Sequence, residues 1–148
     1  MNAETPISTG QWEKSNRSGR AGELVVAARL VELGFELYWP VNDRPAIDLI
    51  SVWKDVVVNR IQVKTKNLPR ENQLSQEVRA VGADPKKYDY LIAYLVTQTA
   101  FYILPATTVK SRKTLTFYPN GKTTKVETDY EPYRDAWHQL RLENGGVG

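Results

Sequence analysis

The chain has 148 residues, of which 41% are hydrophobic and 25% charged, so it has the size of one globular domain and is not disordered throughout. It contains no cysteine and one histidine, which excludes disulfide scaffolds, thiolate metal sites, cysteine nucleophiles and zinc sites built from several histidines. The net charge is +3, but residues 50–125 carry thirteen basic and five acidic side chains, a net +8. Such a surface suits a polyanion such as nucleic acid, and an ordinary solvated surface explains it equally well.

No stretch of the sequence predicts a membrane span or a secretion signal. The longest apolar run, residues 90–96, has seven residues, whereas a spanning helix needs about 20. The first residues carry neither a basic segment nor an apolar core of the signal-peptide type. We therefore expect a soluble, intracellular protein of the cytoplasm.

The predicted elements begin with a polar, flexible arm over residues 1–18, followed by a helix over residues 19–33. Ser18 is a candidate N-cap, and Gly34 is placed to end the helix. The apolar positions that recur at helical spacing are Leu24, Ala27, Ala28 and Val31.

Strands dominate the middle of the chain, and the order of elements predicts an α/β fold with a mixed sheet flanked by helices. The Asn120-Gly121 pair predicts a hairpin turn between residues 115–118 and 123–128. The other predicted elements are strands over residues 35–39, 47–53, 56–65, 88–96 and 100–104, a short helix over 71–79 and a C-terminal helix over 131–142.

Polar side chains interrupt the second and third predicted strands at positions that should face each other. Asp48 lies in an otherwise apolar strand, and Gln62 and Lys64 share one face of the next strand because strand side chains alternate. A hairpin centred on Asp55 places Asp48 opposite Gln62, about 5 Å away. Glu23, in the first helix, can reach this cluster if the helix packs on the same face.

These residue types suit the hydrolysis of a phosphodiester. A magnesium ion prefers oxygen ligands, which Asp48, Glu23, Gln62 and the main-chain carbonyl of Val63 offer. Lys64 can orient the attacking water or stabilise the charge that develops on the phosphate. On pattern alone, a solvated hairpin face with an Asp–Lys pair is the simpler interpretation. The cost of placing a carboxylate in an apolar strand favours a site.

Several motifs together resemble the PD-(D/E)XK endonuclease superfamily over residues 18–105. They are Gly22-Glu23-Leu24 at the start of a helix, Pro40, Pro45-x-x-Asp48, Gln62-Val63-Lys64, Tyr88-Asp89-Tyr90-Leu91 and Tyr102-Ile103-Leu104-Pro105. The branch most similar to the chain contains the homing endonucleases of cyanobacterial group I introns, and archaeal Holliday-junction resolvases are more distant.

The resemblance implies a restriction-endonuclease-like αβββαβ core over residues 19–105, with residues 106–148 as a hairpin and helix extension of the same domain. It also implies cleavage of double-stranded DNA to 5′-phosphate and 3′-hydroxyl ends, with Mg²⁺ as cofactor and Mn²⁺ as a substitute. Homing and restriction members are usually dimers or tetramers, so we expect a homo-oligomer.

By motif position, Asp48 corresponds to the metal-binding Asp, Lys64 to the Lys and Glu23 to the helix-borne Glu. Gln62 stands at the (D/E) position and departs from the acid that is usual there, although the homing branch uses Gln. The candidate DNA-binding residues are Arg17, Arg20, Lys66, Arg70, Lys86, Lys87, Arg112, Lys113, Lys122 and Lys125.

The leading hypothesis is therefore a magnesium-dependent DNA endonuclease of the homing type. A structure-specific nuclease of the junction-resolvase type is the second enzyme hypothesis. A DNA-binding module that kept the fold and lost catalysis is the third, suggested by Gln62. The fourth is a structural or regulatory α/β domain with no nucleic-acid role.

Overall fold

The computed structural model confirms the predicted fold class, a mixed α/β fold with a five-stranded mixed sheet. It describes residues 10–42, 46–67, 76–79, 84–110, 112–121 and 128–143. The elements are α1 (Gly10–Glu32), β1 (Glu36–Tyr38), β2 (Leu49–Trp53), β3 (Val57–Lys66), β4 (Gln76–Arg79), β5 (Tyr90–Leu95), β6 (Ala100–Pro105), α2 (Ala106–Val109), β7 (Thr114–Phe117) and 3₁₀ turns at Glu131–Tyr133 and Trp137–Arg141.

The main sheet has the strand order β1-β2-β3-β5-β6. Neighbouring strands are antiparallel except β3 and β5, which are parallel. Strands β4 and β7 form a separate two-stranded antiparallel sheet. In the described part of the segment between β3 and β5 there is a strand, β4, and no helix. No helix among the described residues is long and apolar enough to cross a membrane.

Helix α1 starts earlier than the sequence predicted. It begins at Gly10 rather than Gly19, so residues 10–18, predicted as part of a flexible arm with Ser18 as cap, are helical. The first turns lack an apolar stripe, and for that reason the pattern did not reveal them. The end is as predicted, because Gly34 has a φ of 95° and the N–H of Phe35 donates to the carbonyl of Leu30.

Two apolar cores cover the two faces of the main sheet. One lies between the sheet and α1 and includes Leu30, Ile61 and Ile92. The other lies between the sheet, α2 and the β4–β7 pair, and includes Leu91 and Leu115. Because side chains alternate along a strand, β5 and β6 contribute to both cores, whereas β3 contributes Ile61 and Val63 to the core under α1.

The β2–β3 hairpin follows the predicted register. Lys54 and Asp55 have φ values of 51° and 62°, and the N–H of Val56 donates to the carbonyl of Trp53 at 3.1 Å. Two successive residues with positive φ are the mark of the tight turn that joins twisted antiparallel strands. In the register that follows, Leu49 pairs with Ile61.

Two predicted helices are wrong where the structure describes them. Residues 76–79, within the predicted helix over 71–79, form strand β4, in which Val78 is buried against the sheet. The predicted helix over 131–142 is two 3₁₀ turns, because the backbone between them pairs with the edge strand β6: Arg134 bridges Tyr102, and the N–H of Asp135 donates to the carbonyl of Phe101 at 2.8 Å.

The first strand of the predicted C-terminal hairpin exists as β7, and it pairs with β4. Residues 123–127 of its other strand lie outside the described residues. The division of the chain into an arm, a core and an extension stays a prediction.

Candidate active site

Asp48 lies immediately before β2 and is fastened to the backbone of β3. Its N–H donates to the carbonyl of Ile61, and its Oδ2 accepts a hydrogen bond from the N–H of Val63, both at 2.8 Å. The two backbone groups belong to the residues on either side of Gln62. The carboxylate is thus held at the sheet edge beside Gln62, as the predicted register requires.

Burial raises the pKa of the Asp48 carboxyl above its ordinary value. The hydrogen bond from Val63 and the positive charges of Lys64 and Arg20 act in the opposite direction, and they do not fully offset the loss of hydration. A carboxylate in this state gains from any additional cation that approaches it.

Glu23 approaches Asp48 from helix α1. Its Oε2 accepts a hydrogen bond from Nη1 of Arg20 at 2.9 Å, one helical turn earlier. The pKa of Glu23 is raised, first by burial and then by the negative charge of Asp48, against the lowering effect of Arg20. The negative charge of Asp48 thus acts on Glu23, and a cation that approached both carboxylates would relieve this repulsion.

The face on which Glu23 approaches differs from the one we expected. Helix α1 packs against Ile61 and Val63, whereas Gln62 and Lys64 alternate to the other face of β3. Glu23 therefore reaches Asp48 across the sheet edge, from the side opposite Gln62 and Lys64. The helix comes close to β3 at Gly22, because a Cβ there would lie 1.8 Å from Oγ1 of Thr65.

Gln62 is buried, with 4% of its surface exposed, and its Oε1 has no hydrogen-bond partner among the described residues. An unpaired buried polar atom costs about 1–3 kcal/mol, so such an atom in a cluster of charged groups is notable. It is an oxygen ligand without a competing donor in the described part of the chain.

Lys64 shares the face of Gln62, two residues further along β3, and is partly buried. Its ammonium charge acts on Asp48, where it lowers the pKa of the carboxyl. Asp48 is thus the residue that links the group: its charge acts on Glu23, the charge of Lys64 acts on it, and Gln62 lies buried beside it on β3.

This donor set fits a hard divalent cation. Two carboxylates of raised pKa and an orphaned amide oxygen are all oxygen ligands, the kind that magnesium prefers while it retains several waters. No group of three or more His, Cys, Asp or Glu residues that could enclose a metal is present in the described ranges.

Of the candidate DNA-binding residues that the structure describes, one belongs to the site. Arg20 lies within the carboxylate cluster, where it pairs with Glu23 and its charge reaches Asp48. The i, i+3 spacing of Arg20 and Glu23 was the sequence signal for this contact. The other described candidates lie on separate elements: Arg17 is exposed on α1, Lys66 ends β3, Lys86 and Lys87 are exposed before β5, and Arg112 and Lys113 are exposed before β7. Three candidates, Arg70, Lys122 and Lys125, lie outside the described residues.

A family model described as PD-(D/E)XK endonuclease matches residues 13–140 of the chain. A search of curated protein sequences finds no significant match. Among solved structures, a bacterial homing endonuclease, I-Ssp6803I, superposes with a TM-score of 0.70 at 19% identity, over 83% of this chain and 88% of that one. At this identity the likeness shows the fold.

A second solved structure is similar over a smaller part of the chain. It is Hjc, a Holliday junction resolvase from the archaeal hyperthermophile Archaeoglobus fulgidus, with a TM-score of 0.45 at 18% identity, over 70% of this chain and 89% of that one.

Proposed function

Because the chain belongs to the PD-(D/E)XK endonuclease family, we propose that it is a magnesium-dependent DNA endonuclease whose centre is the cluster of Glu23, Asp48, Gln62 and Lys64. The products would be a 5′-phosphate and a 3′-hydroxyl. The observation that carries the proposal is the partly buried Asp48 carboxylate, which is hydrogen-bonded to Val63 beside the unpartnered Gln62 oxygen and interacts electrostatically with Glu23 and Lys64.

The residues divide the work by their chemistry. Asp48, Glu23, the Gln62 oxygen and the Val63 carbonyl would hold Mg²⁺, or Mn²⁺ in its place. When bound, the ion would polarise the scissile phosphate and lower the pKa of a coordinated water. Lys64 is placed to orient the attacking water and to stabilise negative charge on the phosphate.

Two further backbone and side-chain contacts support this arrangement. The Val63 N–H holds Asp48 in one orientation, so a carboxylate oxygen remains for the ion. Arg20 holds Glu23 and adds positive charge beside the two carboxylates.

We propose further that cleavage is site-specific, of the homing type. The support is the fold likeness to a bacterial homing endonuclease, which extends over most of both chains. An enzyme of this kind acts where cellular DNA is, so we place it in the cytoplasm.

A homo-oligomer, a dimer or tetramer, is part of the same proposal, because cutting both strands of a duplex at one site calls for two active centres. The support is an exposed apolar surface between α1 and β1. Val31, Tyr38 and Trp39 are 60%, 54% and 42% exposed and border one groove. Sedimentation velocity of wild type and Val31→Glu tests it: the charged variant should shift to monomer, and a monomeric wild type contradicts the proposal.

The central experiment measures cleavage of a mixed DNA pool in magnesium and in manganese. The pool holds random-sequence duplex, supercoiled plasmid, the presumptive intronless host locus and four-way junctions. Asp48→Ala and Lys64→Ala should lose at least about 100-fold in rate with DNA affinity largely retained. Glu32→Ala, which removes a 67% exposed carboxylate from the far end of α1, is the matched control and should cleave normally.

The outcomes separate the hypotheses. Metal-dependent products that both site variants lose support the endonuclease, and the substrate that is cut distinguishes homing from junction resolution. Salt-sensitive binding without cleavage indicates a silent DNA-binding module, which the neutral Gln62 favours as the second candidate. Cleavage retained in Asp48→Ala contradicts the site.

A further inference from the structure

Strands β4 and β7 form a two-stranded ribbon on the same side of the main sheet as Gln62 and Lys64. Val78 of the ribbon is buried in the core that contains Leu91 and Ala93. Leu91 and Ala93 are the register partners of Gln62 and Lys64, and partners in adjacent strands point to the same face. Strand β4 also lies against β3. A duplex that covers the ribbon therefore lies on the lysine side of the site.

The outer face of the ribbon is polar and exposed. Because side chains alternate, burial of Val78 turns Glu77 and Arg79 outward. Across the ladder, Glu77 pairs with Thr116 and Arg79 with Thr114, so these four side chains form one outward patch. Glu77, Arg79 and Thr114 are exposed, and Thr116 is half-buried.

We propose that this patch enters the major groove of the DNA and that Arg79 contacts a base edge there; the inference rests on the proposed endonuclease function. Two strands about 5 Å apart fit a groove about 12 Å wide, which is known to admit a two-stranded ribbon. Four residues extend for about 13 Å, enough to follow three or four base pairs.

The mixture of side chains favours base contacts over a simple phosphate clamp. A carboxylate such as Glu77 is repelled by phosphates, but it accepts a hydrogen bond from cytosine N4 in the major groove. Arg79 offers two parallel donors to guanine, and the methyl groups of Thr114 and Thr116 suit thymine.

Phosphate contacts would come from the chain that leads into the ribbon. Lys110, Arg112 and Lys113 are exposed and directly precede β7. Their charges flank the outer patch at its Thr114 end, where Arg79 also lies. The outer patch would then read base edges, while the three cations at its end would contact phosphates and hold the ribbon in register on the duplex.

The test is a binding selection from a randomised duplex pool in EDTA, followed by sequencing, for full-length wild type, Arg79→Ala and Arg79→Lys. Arg29→Ala is the matched control, because Arg29 is a half-exposed arginine on α1, on the other face of the sheet. All four proteins are checked by thermal denaturation, and truncation of the exposed Arg79 side chain should leave the melting temperature unchanged.

Wild type and Arg29→Ala should enrich the same sequence. Arg79→Ala should lose the preference at one or two adjacent base pairs, with roughly ten- to a hundredfold weaker binding to the wild-type site. Arg79→Lys should recover part of the affinity without the preference, because lysine lacks the two-pronged geometry. Lys113→Ala should weaken binding to all sequences alike and lower the salt slope by about 1.

An unchanged preference in Arg79→Ala would overturn the inference while leaving the endonuclease proposal intact. A wild type that binds no duplex of any sequence and cleaves none would overturn the endonuclease proposal, and the inference with it. Binding that weakens equally for all sequences in Arg79→Ala and is fully restored in Arg79→Lys would assign Arg79 to a phosphate contact and also contradict base reading.

Discussion

Replacing Gly22 by alanine should push helix α1 away from strand β3 and disturb the active site. A Cβ at this position would lie 1.8 Å from Oγ1, 2.8 Å from Cβ and 2.9 Å from Cγ2 of Thr65. Rotation of the Thr65 side chain moves the hydroxyl but cannot move its Cβ. The helix itself must therefore shift, and Glu23, the next residue, shifts with it.

The magnitude follows from two opposing effects. Overpacking costs about 1–3 kcal/mol, and three contacts below 3 Å place Gly22→Ala at the upper end. Alanine recovers about 1 kcal/mol of helix propensity relative to glycine. The expected net loss is about 2 kcal/mol, a fall in melting temperature of roughly 4–8 °C for a chain of this length.

The matched control is Gly19→Ala, one turn earlier in the same helix. A Cβ there meets nothing within 4 Å, so this variant should gain up to about 1 kcal/mol. In a Thr65→Gly background the three close contacts disappear, and Gly22→Ala should become neutral or stabilising. Urea denaturation of the two single variants and the double variant measures this coupling. Equal destabilisation in both backgrounds would refute the close approach of α1 to β3.

Other predictions concern the charges of the site. Asp48→Asn should abolish cleavage yet raise the stability of the metal-free protein by about 1 kcal/mol at pH 7, since burial disfavours the carboxylate. Because the pKa of Asp48 is raised in the folded state, the folded wild type binds more protons than the unfolded chain. The stability difference between Asp48→Asn and wild type should therefore shrink as the pH falls through the pKa of the folded state. Thermal denaturation of both proteins in EDTA from pH 7 to 4 measures this difference, and a constant difference would contradict the prediction. As the pH is lowered, the cleavage rate of wild type should begin to fall at a pH above ~4, the ordinary pKa of a carboxyl group. The reason is that Asp48 and Glu23, whose pKa values are raised, must both be deprotonated to bind the ion. Gln62→Glu should lower the melting temperature without metal and increase the rise on adding Mg²⁺, which thermal denaturation checks.

The part of the site that the sequence predicted depends on local interactions. The β2–β3 hairpin is set by alternation and by the short turn centred on Asp55, which leaves three residues between the paired Trp53 and Val57, so its register could be predicted. That register brings Asp48 to the backbone around Gln62. The roles of these residues in catalysis stay predictions.

What the sequence did not reveal depends on distant contacts. The C-terminal segment has a helical apolar pattern, but Arg134 and Asp135 pair with the edge of β6, and these tertiary hydrogen bonds replace those of a helix. The pairing of β4 with β7 joins segments far apart in sequence, which no local signal encodes. The apolar stripe predicted for α1 is also wrong: Leu24, Ala28 and Val31 are exposed, and only Ala27 of that stripe is buried. The face that packs on the sheet is completed by Val26 and Leu30, because contact with the sheet and not the local pattern decides which apolar side chains are covered.

The electrostatics of the cluster explain why an amide is tolerated where the family usually has an acid. The pKa values of Glu23 and Asp48 are already raised, in both cases chiefly by burial, and the charge of Asp48 adds to the effect on Glu23. A third carboxylate at position 62, in a side chain that is 4% exposed, would add burial cost and repulsion in the absence of the ion. The Gln62 oxygen keeps a ligand atom at that position without adding charge. The cost is a weaker electrostatic attraction for the cation. Gln62 therefore fits a centre that binds its ion weakly in the free protein, so that occupancy would depend on the phosphate of a bound substrate supplying further oxygen ligands.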